Sequence, residues 1–156
     1  MALDATVGGT SSNSYLTVSE ATTYFRDRIN SSTWTDYSNQ SALLVTSTLT
    51  IDYYMSWYGD KTDEDQALAF PRDGDTIIPT RIKQAVCELA LYLIDKGISY
   101  DNSDIDMIKV GPLTIDFNEK QNGFLIPDHV ARILVDLGEA LSITKRRIGQ
   151  PKLIRV

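Results

Sequence analysis

The stretch from Gln66 to Lys96 constrains the fold of this chain more than any other. It reads Gln-Ala-Leu-Ala-Phe-Pro-Arg, then a short polar loop, then Ile78-Pro79 and a long amphipathic segment. Pro79 suits a first helical position, where its fixed φ is already right and its missing N–H has no bond to lose. After it Ile82, Ala85, Val86, Leu89, Ala90 and Leu93 recur at spacings of three and four, with Arg81, Lys83, Gln84, Glu88 and Asp95 mostly off that stripe. The pattern predicts an amphipathic helix with one buried face. Lys96-Gly97 closes it with a cation in the last turn and a glycine suited to the left-handed cap. Upstream, Phe70 before Pro71 is pushed out of the helical region, so Phe70-Pro71 is expected to be an extended apolar plug lying against that helix.

At 156 residues and 42% hydrophobic content the chain is large enough for one domain with its own core. Its one cysteine, Cys87, cannot form an internal disulfide and falls within the central helix, where it reads as a small core residue. The opening Met-Ala-Leu-Asp-Ala-Thr lacks the pattern of a secretory signal. No apolar run approaches the roughly 20 residues of a membrane span. A soluble protein of a reducing compartment, without membrane contact, is the expectation.

The net charge of −6 hides an asymmetry. Residues 1–138 hold 10 Lys+Arg against 20 Asp+Glu, whereas residues 139–156 hold Lys145, Arg146, Arg147, Lys152 and Arg155 against Glu139 alone. An acidic body is a poor general binder of nucleic acid, because phosphate affinity follows the number of cations. The basic tail is a candidate arm for an acidic partner or for nucleic acid; a solvated terminus is the bland alternative.

Taken in order, residues 1–13 are rich in Gly, Ser, Thr and Asn and read as a mobile or extended arm. Thr17 and Glu20 are spaced as a capping box, so a first helix is predicted to about Ile29 with Ala21, Tyr24, Phe25 and Ile29 buried. Trp34 and Tyr37 are expected as anchors in a short connector. Ser38 or Asn39 caps a second helix to about Trp57, with Ala42, Leu43, Val45, Leu49, Tyr53 and Met55 as its apolar set. Its Thr46-Ser47-Thr48 run weakens helix propensity. Lys61 to Asp65 reads as an acidic surface loop. Residues 105–110 and 113–117 alternate with period two around Gly111-Pro112 and predict a hairpin. Such a hairpin is marginal alone and needs this domain or a neighbouring subunit to pack on. Ile126-Pro127 starts a last helix with Val130, Ile133, Leu134 and Leu137 inward, ended by Gly138. The expected fold is mostly α: about four helices in a bundle, a small β-hairpin and extended termini. The domain spans 14–138, between an arm at 1–13 and a basic tail at 139–156.

The residues offer little chemistry. His129 is the one histidine, so no Ser-His-Asp set can be placed. The clusters Asp60-Asp63-Glu64-Asp65 and Asp101-Asp104-Asp106 lack the glycine and terminal glutamate of a calcium loop and read as solvated acids. Gly59-Asp60-Lys61-Thr62 matches only the end of a phosphate loop. Aromatic residues crowd the first half, from Tyr15 to Phe70. Aromatics beside cations can stack single-stranded bases, but Arg26, Arg28 and Lys61 are outnumbered by acids, which favours a core or interface role. No catalytic residue, metal site or cofactor is expected, and the protein reads as a non-enzymatic interaction domain.

Several features in order carry a resemblance: Ser14-Tyr15-Leu16-Thr17-Val18-Ser19-Glu20-Ala21 with Tyr24-Phe25, then Trp34, then Trp57 with Gly59. Gln66–Leu68 with Phe70-Pro71-Arg72 follows, then Ile78-Pro79 with Ile82-Lys83-Ala85 and Glu88-Leu89-Ala90, then Val110-Gly111-Pro112 and Ile126-Pro127. Together they resemble the small head–tail connector (adaptor, head-completion) proteins of tailed bacteriophages, a sequence family often labelled DnaT-like single-stranded-DNA-binding. The resemblance implies a structural protein of the virion, assembled in the host cytoplasm into a homo-oligomeric ring, commonly dodecameric. It would sit between the portal protein and the tail or its terminator or nozzle protein, with packaged DNA passing through the lumen without specific binding. On that reading Lys145, Arg146, Arg147, Lys152, Leu153, Ile154, Arg155 and Val156 would contact the portal, and Ile108, Val110, Leu113 and Ile115 of the hairpin would form the subunit interface. The alternative takes the label literally: a replication-type protein that binds single-stranded DNA through aromatics and the basic tail. A metal-dependent hydrolase built on the Asp clusters stands a distant third.

Overall fold

A computed structural model describes residues 2–29, 31–96, 107–110, 113–116 and 126–141. In chain order the elements are α1 (Val18–Phe25), α2 (Ser31–Thr35), α3 (Gln40–Tyr54), β1 (Met55–Trp57), α4 (Thr80–Lys96), β2 (Met107–Val110), β3 (Leu113–Asp116), α5 (Asp128–Leu134) and β4 (Gly138–Ala140). The fold is mostly α with a small hairpin, as its sequence pattern predicts.

The hub is α4, which packs against α3 on one side and α5 on another, with α1 and α2 also touching it. Ile82, Ala85, Val86, Cys87, Leu89 and Ala90 are its buried residues, which is the predicted stripe with Cys87 added and Leu93 only partly buried. Burial pushes the Cys87 thiol up to about 12, so it stays protonated and behaves as a small apolar side chain. Pro79 lies just ahead of the helix, and its carbonyl accepts from the N–H groups of Ile82 and Lys83. Pro127 plays the same part before α5 for Val130 and Ala131.

The capping box at α1 is formed: the Glu20 N–H donates to the Thr17 hydroxyl at 3.2 Å, and the Thr17 N–H donates to the Glu20 carboxylate at 2.7 Å. The helix ends at Phe25, however, and Ile29 is 101% exposed rather than buried. The Arg28 N–H bonds back to the Phe25 carbonyl at 3.0 Å, a turn that takes the chain off the helical path before Ile29 can face the core. Trp34 is an anchor as expected, fully buried on α2, its ring 5.1 Å from that of Phe25 and its indole N–H on the Thr22 hydroxyl. Tyr37 is exposed.

The second predicted helix differs most from its sequence reading. It stops at Tyr54, and Met55–Trp57 forms β1. Its buried residues are Leu43, Leu44, Ser47, Thr48 and Ile51, while Ala42, Leu49 and Tyr53 face outward. Two of the hydroxyl-bearing residues that lower helix propensity, Ser47 and Thr48, are thus buried, and the Thr48 hydroxyl accepts the Tyr15 N–H at 3.4 Å. A strand missing from the sequence reading, β4, pairs antiparallel with β1: Met55 faces Ala140, Ser56 faces Glu139 and Trp57 faces Gly138. Gly138 therefore begins a strand rather than merely ending a helix. A Cβ there would stand 2.6 Å from the Ser56 carbonyl oxygen. Residues 139 and 140, assigned by sequence to the tail, belong to this sheet.

Residues 2–13, expected as a mobile or extended arm, close into a loop. The Asp4 carbonyl accepts from the N–H groups of Asn13 and Ser14 at 2.9 and 3.0 Å, and the Asn13 side chain binds the Asp4 N–H and the Ala2 carbonyl. The plug is buried at Leu68, Ala69 and Phe70, and the Phe70–Pro71 peptide is cis. Phe70 meets Tyr15 and Trp57 edge to face, at ring centroid distances of 6.0 and 4.9 Å. The predicted hairpin is present as β2 and β3, with Ile108 opposite Ile115 and Val110 opposite Leu113.

Candidate nucleic-acid interface

Cations and stacking rings are what a single strand would need, so their placement decides what this body can bind. Most of the described cations are already committed to the protein itself. Arg28 pairs with Glu88 and Arg81 with Asp136, Lys83 reaches Glu20 at 2.6 Å and Lys96 reaches Asp95 at 2.9 Å. Lys61 donates to the Gln66 carbonyl at 3.0 Å. Arg72 is spent on backbone: its Nε donates to the Tyr58 carbonyl at 2.7 Å, one terminal nitrogen to Ala69 at 3.1 Å and the other to Gly59. The four ion pairs neutralise charges that phosphate would otherwise meet, and Lys61 and Arg72 are held on backbone carbonyls, so the acidic body has little spare positive potential.

The aromatic residues divide into two sets. Tyr15, Phe25, Trp34 and Phe70 are core, which bears out the packing role expected for most of the crowd. Tyr53 is 74% exposed and Tyr58 is 51% exposed, with Tyr37 and Tyr92 on the margin. Tyr58 is tied down, its hydroxyl donating to Glu139 at 2.9 Å. Tyr92 lies 6.2 Å from the ring of His129, which is exposed on α5. Tyr53 forms a T-shaped pair with its neighbour Tyr54, at 4.9 Å and an interplanar angle of 79°. Periodicity placed Tyr53 among the buried residues of its helix, and so hid it as a surface ring.

The tail cations Lys145, Arg146, Arg147, Lys152 and Arg155, with Leu153, Ile154 and Val156, lie outside the described residues, but the point where the chain leaves for them is fixed. The Leu141 N–H donates to the Tyr54 carbonyl at 2.7 Å, extending the β1–β4 ladder by one bond. Leu141 is therefore held beside the end of α3.

Other candidates carry no chemistry. Among the described residues no three His, Cys, Asp or Glu side chains converge as metal ligands. Asp63 bonds the Asp65 N–H in its own loop at 2.9 Å, and the cluster Asp101-Asp104-Asp106 lies outside the described residues. Gly59-Asp60 is held by the Asp73 carboxylate, which takes the Asp60 N–H at 2.9 Å, so the supposed phosphate-loop end already has an anion of its own. A groove of about 220 Å³ between α1 and α4 has Leu16 and Cys87 in its lining with the Glu20–Lys83 pair beside them. Its charges are balanced and it contains no nucleophile–base pair.

The described residues form a mostly α-helical body, and the sequence that follows it is basic. The chain belongs to the family described as "Putative DnaT-like ssDNA binding protein", whose model matches residues 1–148. No curated protein and no solved structure matches it. The family match overturns the connector reading, because it points to single-stranded-DNA binding and nothing in it points to a head–tail connector. The dodecameric ring, the portal and tail partners, the structural connector role and the passage of unbound DNA through a lumen fall with it. The physical reason lies in the residues that carried the resemblance. Tyr15, Leu16, Ala21, Phe25, Trp34, Phe70, Ile82, Ala85, Leu89 and Ala90 are all core. They report how the chain packs, and a packing pattern does not name a partner.

Proposed function

We propose that this protein binds single-stranded DNA without catalysing a reaction on it, using its C-terminal cations for the phosphates and exposed aromatic surface for the bases. The observation that carries this reading is the family match across residues 1–148. The charge arrangement supports a division of labour. The body's described cations are largely paired internally, whereas Lys145, Arg146, Arg147, Lys152 and Arg155 stand in a tail with one acid. Binding then rests on counterion release by the tail, and an acidic body beside it keeps the overall affinity modest and strongly dependent on salt.

The test is a salt titration of affinity for an oligodeoxythymidylate, with the full chain and with a full-length variant carrying K145Q, R146Q, R147Q, K152Q and R155Q. Neutralising five phosphates gives log K a slope against log salt of roughly −3.5, at about −0.7 per phosphate on a single strand. The glutamine variant should lose most of that slope and most of the affinity. Absence of binding by the full chain at low salt would sink the function, and an unchanged slope in the variant would sink the role of the tail.

A further inference from the structure

The outer face of α3 is unlike the rest of the body. Ala42, Val45, Leu49 and Tyr53 follow one another at spacings of three and four on the side opposite the buried Leu44, Ser47, Thr48 and Ile51, giving the helix two apolar stripes. Leu49 is 49% exposed and Tyr53 74%. From Gln40 to Tyr54 the helix holds one charged residue, Asp52, and that carboxylate is turned inward onto Tyr15 and the Ala69 N–H. An acidic protein thus presents one helix face with no anion on it. An exposed ring stands at the end of that face, in a T-shaped pair with Tyr54.

We propose that Tyr53 is a base-stacking residue and that single-stranded DNA runs along this face of α3, an assignment that rests on the single-stranded-DNA reading above. Three separate observations meet there. The ring is the most exposed large aromatic among the described residues, so it can meet a base from solvent. The face lacks carboxylates, so phosphates beside it meet no local repulsion. The chain leaves for its basic tail from the same place, since the Leu141 N–H is bonded to the Tyr54 carbonyl. Lys145 follows four residues later, no more than roughly 14 Å of extended chain. Base stacking on Tyr53 and phosphate neutralisation by the tail are then within reach of one short stretch of strand. Such platforms tolerate any base, because every base offers a π face.

The experiment compares full-length wild type, Y53A and Y53W in fluorescence-anisotropy titrations with a fluorescein-labelled oligodeoxythymidylate across a salt series, with sedimentation of each protein alone. Tyr53 is exposed, so neither substitution threatens the fold. Y53A is expected to weaken binding by roughly 5- to 150-fold, the range set by one stacked base, with the salt slope unchanged, while Y53W binds at least as well as wild type. Wild-type binding that Y53A leaves intact overturns the platform and spares the function. No binding by wild type overturns both. Self-association of wild type that Y53A abolishes would make this face a contact between copies, and would equally overturn the stacking role.

Discussion

The Tyr15 hydroxyl donates to the Asp52 carboxylate and at the same time accepts the Phe70 N–H at 3.2 Å, while the other oxygen of Asp52 takes the Ala69 N–H at 2.9 Å. Three segments distant in sequence are locked by one phenol and one carboxylate: the loop before α1, the inner side of α3 and the apolar plug. The plug's backbone cannot pair within a sheet there, so these bonds satisfy groups that would otherwise be buried unpaired.

Removing the phenol should therefore loosen the plug. Y15F leaves the Phe70 N–H without its acceptor and one Asp52 oxygen without its donor, and should lower unfolding free energy by about 1–3 kcal/mol in urea titrations. Stability equal to wild type would show that the plug is held by apolar packing alone.

The same carboxylate sets a pH dependence. Burial raises the Asp52 pKa above its ordinary value of 3.8, against the lowering effect of the Tyr15 and Ala69 bonds. A raised folded pKa means that the folded state holds the proton more tightly than the unfolded one. The stability from this group is fully present below the ordinary value and is lost as pH rises through the folded one. Relative to D52N, wild type should lose unfolding free energy as pH climbs from acid toward neutral. A relative gain over that range would mean that the bonds to the carboxylate outweigh its burial.

Gly138 is fixed by close approach rather than by its φ. A methyl group there would stand 2.6 Å from the Ser56 carbonyl oxygen and 3.0 Å from the Trp57 ring. G138A should part β1 from β4 and destabilise by about 1–3 kcal/mol, the range for forced overpacking. Gly74 is the control: its φ is +82° with nothing within 4 Å of a built Cβ. G74A should show only backbone strain, about 1 kcal/mol. Equal effects in chemical denaturation would remove the steric account.

Arg72 straps the segment from Tyr58 to the plug through three carbonyls, those of Tyr58, Gly59 and Ala69. A lysine ammonium cannot reproduce that planar fork. R72K should cost about 1.5–3 kcal/mol of stability by denaturant titration, since a charged donor serves each bond. A neutral result would assign the strap to the Asp60–Asp73 backbone pairing instead.

Ser47 points the other way. It is fully buried on α3, and among the described residues its hydroxyl has no hydrogen-bond partner. S47A removes an unsatisfied polar atom and adds the residue with the best helix propensity, so the melting midpoint should rise, with a gain of about 0.5–1 kcal/mol. A fall would reveal a satisfied hydroxyl.

Local chemistry made part of this protein legible from its sequence. The capping box at Thr17 and Glu20, the Ile-Pro starts of α4 and α5, the Cys87 core position and the alternation that became β2 and β3 all depend on neighbours within a few residues, so periodicity and propensity suffice to find them. Periodicity failed on α3 because both of its sides are apolar enough to be core. Ala42, Leu49 and Tyr53 were expected inside, yet the helix buries Leu44, Ser47, Thr48 and Ile51 against α4, and the bonds from Asp52 to Tyr15 and Ala69 hold that rotation. The strand at Gly138 was hidden for a similar reason: three residues carry no pattern, and only the arrival of Met55–Trp57 beside them gives their backbone a partner. The sequence by itself therefore determined α1, α3, α4 and α5, their starts and the segregation of charge into the tail, all of which follow from short-range spacing and composition, whereas α2 was read as a connector. Tertiary structure alone decided which face of α3 is core, which cations are already paired and where the chain departs for its basic tail, because each depends on contacts between residues far apart in the chain.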